Sequence, residues 1–370
     1  MRRLILAGGG HAHLQVLRAL AKQRPRNVEI ILIAPSQYSI YSGMVPGWMA
    51  GHYELSECRI DLRPPAAAAG VRLIVSDVGC VDSRRRRVAL GDGAHLEYDL
   101  LSLNVGGESN LSLVETMGDL VLPVRPPTEF VRRWPAVIEA ASTQRNFRLI
   151  VIGGGAGGVE LAFAAAHVLG ERQISAEVIL VAGAGRLLPG HGPRAASLAR
   201  RLLAARGVTV LNALAVGAEE GVVLSSGELL KADCVVAATG SRAPCWLRLS
   251  HLALDDHGYV QVNAGHQSVS HANVFAAGDV SSRIDMPLAH SGVHAVRAGR
   301  VLAANLFAAL SGRALRSYRP RRNSLYLLAT GPKHAIASWG PVSAVGYPVW
   351  LLKNWIDKRF VSGFAQGSTS

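Results

Sequence analysis

Two stretches of this chain have the residue types to hold a diphosphate. Leu4-Ile5-Leu6-Ala7-Gly8-Gly9-Gly10 returns later as Leu149-Ile150-Val151-Ile152-Gly153-Gly154-Gly155. Each is an apolar run that stops at three glycines and continues into a helical pattern. Backbone N–H groups at a helix N-terminus, helped by about half a unit of dipole charge, can meet the negative charge of a pyrophosphate. The chain must touch the phosphates, so Gly8, Gly10, Gly153 and Gly155 cannot carry a Cβ, and a third glycine lets the helix pack close to the strand. The second loop is complete, Gly153-x-Gly155-x-x-Gly158, with Glu160 on the first helical turn. The first has His13 in the third place, which is either a packed histidine with a shifted helix or a donor aimed at the phosphates. His11, inside the loop, is the better candidate for a ligand contact. Two such loops about one domain apart imply two dinucleotide sites, naturally one for a bound flavin and one for a nicotinamide that reduces it.

The elements around the loops repeat in order. Residues 4–7 read as a strand, 11–21 as a helix and 28–34 as a second strand, the β-α-β unit of a dinucleotide fold. A hairpin around Asp92-Gly93 then feeds a strand that ends at Gly106-Gly107. The second half has a strand at 149–152, a helix at 158–169, a strand at 177–181, a hairpin around Ser226-Gly227 and a strand that ends at Thr239-Gly240. The shared order supports a two-fold repeat. The expected class is α/β, with two Rossmann-like domains, the second inserted in the first, and a C-terminal appendage. The expected boundaries are 1–122 with 255–320 for the first domain, 123–254 for the second and 321–370 for the appendage.

The acidic residue that usually holds the adenosine ribose is missing from both units. Ala34-Pro35-Ser36 follows the second strand of the first unit, where Ser36 is a substitute and Pro35 lines the turn. Ala182-Gly183-Ala184-Gly185-Arg186 follows it in the second. There the missing carboxylate removes repulsion against a 2′-phosphate, and Arg186 either pairs with one or is a solvated loop residue. The reading leans toward NADPH without settling NADH against NADPH.

Val274-Phe275-Ala276-Ala277-Gly278-Asp279-Val280 resembles the second flavin motif of the pyridine nucleotide-disulfide oxidoreductase superfamily, and Ala238-Thr239-Gly240 looks like its short linking motif. With both glycine loops, the resemblance covers residues 1 to about 310. It implies bound FAD on Gly8, Gly10, Gly106, Gly278 and Asp279, and NADH or NADPH as co-substrate on Gly153, Gly155, Gly158 and Gly240. The Tyr41–Gly47 loop, with Ser42 and Pro46, would lie against the flavin ring. A helix beginning at Leu288 would face the flavin's carbonyl end, with His290 reaching the ring. Glu160 would point toward the nicotinamide–flavin junction, and an ordinary first-turn carboxylate is the competing reading. Gly8-Gly-Gly-His-Ala-His-Leu14, Tyr41-Ser-Gly-Met-Val-Pro-Gly47 and Asn354-Trp-Ile-Asp-Lys-Arg-Phe360 resemble a subgroup found alone or fused ahead of a selenide, water dikinase. That subgroup is similar in layout to type II NADH:quinone dehydrogenases and sulfide:quinone oxidoreductases. Cys58, Cys80, Cys234 and Cys245 do not have the redox spacing of the disulfide reductases.

The resemblance implies hydride transfer from NAD(P)H to FAD and on to a quinone or other small acceptor. Two other readings stay open: oxidation of a small selenium, sulfur or amine metabolite, and a non-catalytic flavin-binding partner. A net charge of +13 comes mostly from Arg. With no recognition motif for nucleic acid, we read it as compositional bias. No metal ligands are assigned. The four cysteines without framework spacing suggest a reducing, cytoplasmic compartment. Residues 350–360 are amphipathic if helical, with Leu351, Leu352, Trp355, Ile356 and Phe360 on one side and Lys353, Asn354, Asp357 and Lys358 on the other. That apolar face could dock on the protein, which we place ahead of the alternatives, lie on the inner face of a membrane, or form a homodimer.

Overall fold

A computed structural model describes residues 1–288, 292–321 and 323–365. Two five-stranded parallel sheets dominate it. In the first, Arg2–Ala7 lies between Val28–Ala34 and Leu100–Leu103, with Arg72–Val75 and Val274–Ala276 outermost. In the second, Phe147–Ile152 lies between Ala176–Val181 and Cys234–Ala237, with Val208–Leu211 and Val121–Pro123 outermost. The strand order is the same, but the last position is filled from opposite directions along the chain. The first sheet takes its edge strand from after the second unit, and the second takes its edge strand from before its own glycine loop. The inner strands are near-continuous Ile, Leu and Val because both faces are covered, as parallel sheets require.

Each unit carries a three-stranded antiparallel sheet built on the expected hairpin, at Val78–Asp82, Arg87–Leu90 and His95–Glu97, and at Ala215–Ala218, Gly221–Leu224 and Leu229–Lys231. The two chain crossings between units pair with each other, Glu108–Ser109 against Ser241–Arg242. The helix Gly292–Leu310 packs on the first helix, His11–Lys22, so closely that a Cβ on Gly299 would lie 2.7 Å from the Ala12 carbonyl oxygen. The appendage is a three-stranded antiparallel sheet, Leu325–Ala329, Ala335–Trp339 and Val342–Gly346, followed by the final helix Tyr347–Ala365.

Candidate active site

Both glycine loops leave their first strand through a left-handed glycine, Gly8 at φ +99° and Gly153 at φ +128°. A Cβ there would lie 2.3 Å from the Asn104 carbonyl oxygen in one case and 2.1 Å from that of Ala238 in the other. No side chain can be added at either position. In the second loop a Cβ on Gly158 would meet Gly153 O at 1.9 Å, while Gly155 has open space in front of it. That is a bare anion cradle of the kind a diphosphate needs.

The first loop is built differently. Asn104 is 3% exposed, and its Oδ1 accepts the N–H groups of Ala12 (3.0 Å) and His13 (3.2 Å). Its Nδ2 donates to the Ala277 carbonyl at 2.6 Å, beside the Gly278-Asp279 pair. Asn104 thus caps the first helix from the neighbouring strand and ties it to the second flavin motif. Sequence reasoning missed it. The signal was Asn at the end of a buried strand, where Ala238 stands in the second unit. The His13 ring is fully buried, with Nδ1 2.6 Å from Gly8 O and Nε2 2.8 Å from Ser102 Oγ. Burial pushes its pKa down to about 4, against the opposing bond to Gly8. His13 is therefore a packed histidine, held between Gly8 O and Ser102 Oγ. The expectation of a donor to the phosphates is corrected, because both ring nitrogens face protein.

His11 does face the cleft. Its Nε2 is buried with no hydrogen-bond partner among the described residues, and its ring makes edge contacts with Tyr41 (5.2 Å) and Phe360 (5.9 Å). Burial holds its pKa near 4, with Asp279 opposing and Arg125 assisting. A neutral imidazole with one free polar atom suits a neutral hydrogen-bonding group of a ligand better than a phosphate. Asp279 follows Gly278 (φ +77°) and is ion-paired with Arg125. Gly106 (φ +78°) and Gly240 (φ +91°) sit at corresponding turns after the closing strands. Pro35 is exposed beyond the second strand, and Arg186 Nη2 donates to the His191 carbonyl at 2.6 Å. Ser42 is exposed and Pro46 buried within the Tyr41–Gly47 segment, which is helical from Ser42 onward. His290 lies outside the described residues. Leu288 is half-buried, and the helix is described from Gly292 onward.

The final helix covers this site, but not by the expected face. Lys353 and Asp357 are 8% and 5% exposed, whereas Leu351, Leu352, Trp355 and Ile356 are 38–57% exposed. Lys353 Nζ donates to Gly43 O (2.8 Å) and to Asp357 Oδ2 (2.9 Å), Tyr41 Oη to Asp357 Oδ1 (3.2 Å), and Tyr53 Oη to Asn354 Oδ1 (2.9 Å). Docking by the apolar arc is thus corrected. Buried charges must pair, and the Tyr41–Gly47 segment offers a carbonyl and a phenol that only the polar side can meet. Phe360 alone of the expected arc packs inward, stacked on Tyr41 at 4.8 Å. Glu160 lies beside this polar seam, and its Oε1 accepts the Ala329 N–H at 2.8 Å. Burial raises its pKa to about 7, with Asp357 adding and Lys353 and the Ala329 N–H opposing. A carboxyl balanced between its two forms at neutral pH can hold or release a proton in the cleft.

The arrangement that decides the family is this pair of cradles on equivalent sheets. A family model described as pyridine nucleotide-disulphide oxidoreductase matches residues 2–299. The chain belongs to that family. It is an FAD-dependent oxidoreductase that uses NAD(P)H, and the first cradle fits the flavin. Gly8 and Gly10 admit no Cβ, and His11 Nε2 has no hydrogen-bond partner among the described residues. The NADH dehydrogenase-like protein YutJ of Bacillus subtilis is 23% identical over 295 residues, 78% of this chain and 79% of its own. The demethylphylloquinone reductase NdbB of Synechocystis is 26% identical over 285 residues, 74% of this chain and 66% of its own. Among solved structures, the sulfide:quinone oxidoreductase of Aquifex aeolicus superposes with a TM-score of 0.84 at 16% identity, covering 100% of this chain and 92% of that one.

Proposed function

We propose that the protein passes reducing equivalents from NAD(P)H through FAD to a quinone or a similar small acceptor taken from a membrane surface. The observation that carries this reading is the final helix. Its polar side closes over Tyr41, Gly43 and Glu160, and its opposite side leaves Leu351, Leu352, Trp355 and Ile356 in solvent. Burying such side chains is worth about 1.5–3 kcal/mol each, enough for reversible attachment to a bilayer. No helix among the described residues is long and apolar enough to cross a membrane, so attachment would be peripheral. The quinone-reducing names of two similar proteins support the acceptor class.

FAD held by the Gly8–Gly10 loop and a nicotinamide nucleotide held by the Gly153–Gly158 loop would supply hydride and electron-transfer chemistry. The chain's own work is to hold both nucleotides, exclude water with the final helix, and keep a proton at Glu160 near neutral pH. The Cys58 thiol is buried and pushed up to about 12, so it stays protonated at neutral pH. The test is anaerobic reduction of the flavin-loaded protein by NADH and by NADPH, then reoxidation by a short-chain quinone with and without anionic vesicles. Bleaching by a nicotinamide and recovery by the quinone are expected. Bleaching that only ferricyanide reverses would rule out the quinone assignment.

A further inference from the structure

Arg125 belongs to the segment that follows Val121–Pro123, the edge strand of the second sheet. Its backbone N–H is held by Ser109 Oγ at 2.9 Å, and Ser109 is 3% exposed at the crossing between units. From there its guanidinium reaches into the first unit and pairs with Asp279, whose side chain is 12% exposed against 31% for Arg125. Asp279 follows Gly278, where a Cβ would lie 2.7 Å from Asn104 Nδ2. The carboxylate is therefore fixed from two sides, by Asn104 through the turn and by Arg125 through charge. Arg125 and Asp279 also act electrostatically on His11, whose Nε2 is buried with no hydrogen-bond partner among the described residues.

A carboxylate in this cleft is a liability as well as a ligand. The first cradle must hold a diphosphate, and a second anion in a poorly solvated cleft repels it over several ångströms. A cation on the carboxylate cancels that repulsion and leaves one Asp279 oxygen to accept a hydroxyl. We propose that Arg125 is a positioning residue for the flavin, contributed by the nicotinamide unit. It neutralises and orients Asp279, so that flavin retention depends on a residue outside the flavin-binding fold. The proposal rests on flavin occupying the first cradle and is independent of the acceptor.

The test measures flavin affinity, not turnover. Apo protein is titrated with FAD by quenching of flavin fluorescence, and the flavin-to-chain ratio of purified protein after gel filtration serves as a second reading. Arg125→Ala is expected to weaken FAD binding at least tenfold. Arg125→Lys should restore most of the affinity. Arg125→Ala combined with Asp279→Asn should bind no more weakly than Arg125→Ala alone, because the pair acts as a unit. Binding of 5′-AMP to the second unit and the far-UV circular dichroism should stay unchanged, which separates a local loss from misfolding. Wild-type affinity in Arg125→Ala, or additive losses in the double variant, would each overturn the proposal.

Discussion

The helices after the two glycine loops begin on almost the same backbone, with Gly10 at φ −75°, ψ 173° and Gly155 at φ −72°, ψ 176°. On that backbone the units differ at, among others, His13 against Gly158, Gln15 against Glu160, and Asn104 against Ala238. In the first unit, side chains from the neighbouring strand consume two of the helix's free N–H groups and pin the loop to the Gly278-Asp279 turn. In the second, the strand offers only a methyl group, and the helix rests directly on the Gly153 carbonyl. The first site is thus pre-organised by cross-strand ties, as suits a cofactor that stays. The second is bare backbone, as suits a co-substrate that binds and leaves each cycle. Pre-organisation raises affinity by lowering the ordering cost.

Exchanging residues between the units tests this contrast. Gly158→His should have the largest effect. Its Cβ would sit 1.9 Å from a backbone oxygen that cannot move without shifting the strand, so a loss of at least about 3 kcal/mol is expected. A denaturation midpoint in urea would measure it. A variant as stable as the parent would mean that helix–strand distance is not what separates the loops.

Asn104→Ala imports the methyl group of the second unit. It leaves the N–H groups of Ala12 and His13 and the carbonyl of Ala277 without their partner in a buried place. Each such loss costs about 1–3 kcal/mol, and partial relaxation should bring the total to roughly 2–4 kcal/mol. FAD should be lost on gel filtration, while binding of a nicotinamide nucleotide stays intact. Full flavin retention would show that the tie is structural only.

Much of this layout was legible in the residues, for stated reasons. The glycine loops, the paired hairpins and the buried strands all follow from backbone demands that only certain residues satisfy. Gly8 and Gly153 are required by φ and by a carbonyl within 2.3 Å, and Ile-Leu-Val runs are required by burial on both faces. What was not legible depends on partners far apart in sequence. Asn104 is an ordinary strand-end residue until a helix start lies against it, and Arg125 sits in what reads as a proline-rich linker. The final helix was misread because amphipathicity reports that a helix has two faces, not which one the protein takes. The Tyr41–Gly47 segment supplied a phenol and a carbonyl, and those partners drew in Lys353 and Asp357.

Glu160→Gln imports the residue at position 15 and sharpens the comparison through pH. The carboxyl of Glu160 is raised from 4.5 to about 7, so the folded state keeps a proton that the unfolded chain releases between those values. The wild type therefore loses stability relative to the variant as pH rises from about 4.5 to 7, and the gap is constant above. The full difference is on the order of 3 kcal/mol; burial is its main cause, with Lys353 opposing and Asp357 adding. Melting temperatures of both proteins from pH 4.5 to 8.5 should diverge over that window. Flavin reoxidation by the acceptor should slow in the variant if the proton is used. Parallel melting curves would mean that Glu160 is ionised throughout and is only a capping carboxylate.

The smallest effect is expected at the ribose end of the second cradle. Ala182 and Gly183 offer no carboxylate there, and Arg186 now donates to the His191 carbonyl, with its charge in solvent. If the guanidinium swings from His191 onto a 2′-phosphate, it gains a charge-assisted contact at an exposed site, worth up to about 1 kcal/mol. Arg186→Ala should then raise the KM for NADPH about fivefold and leave that for NADH unchanged. The corresponding turn of the first unit, Ala34-Pro35-Ser36, has no cation at all, so FAD retention should not move. Equal KM values for both nucleotides before and after the change would make Arg186 a strut for its own loop. Discrimination between NADH and NADPH would then be absent, because neither a carboxylate nor a mobile cation stands at the ribose.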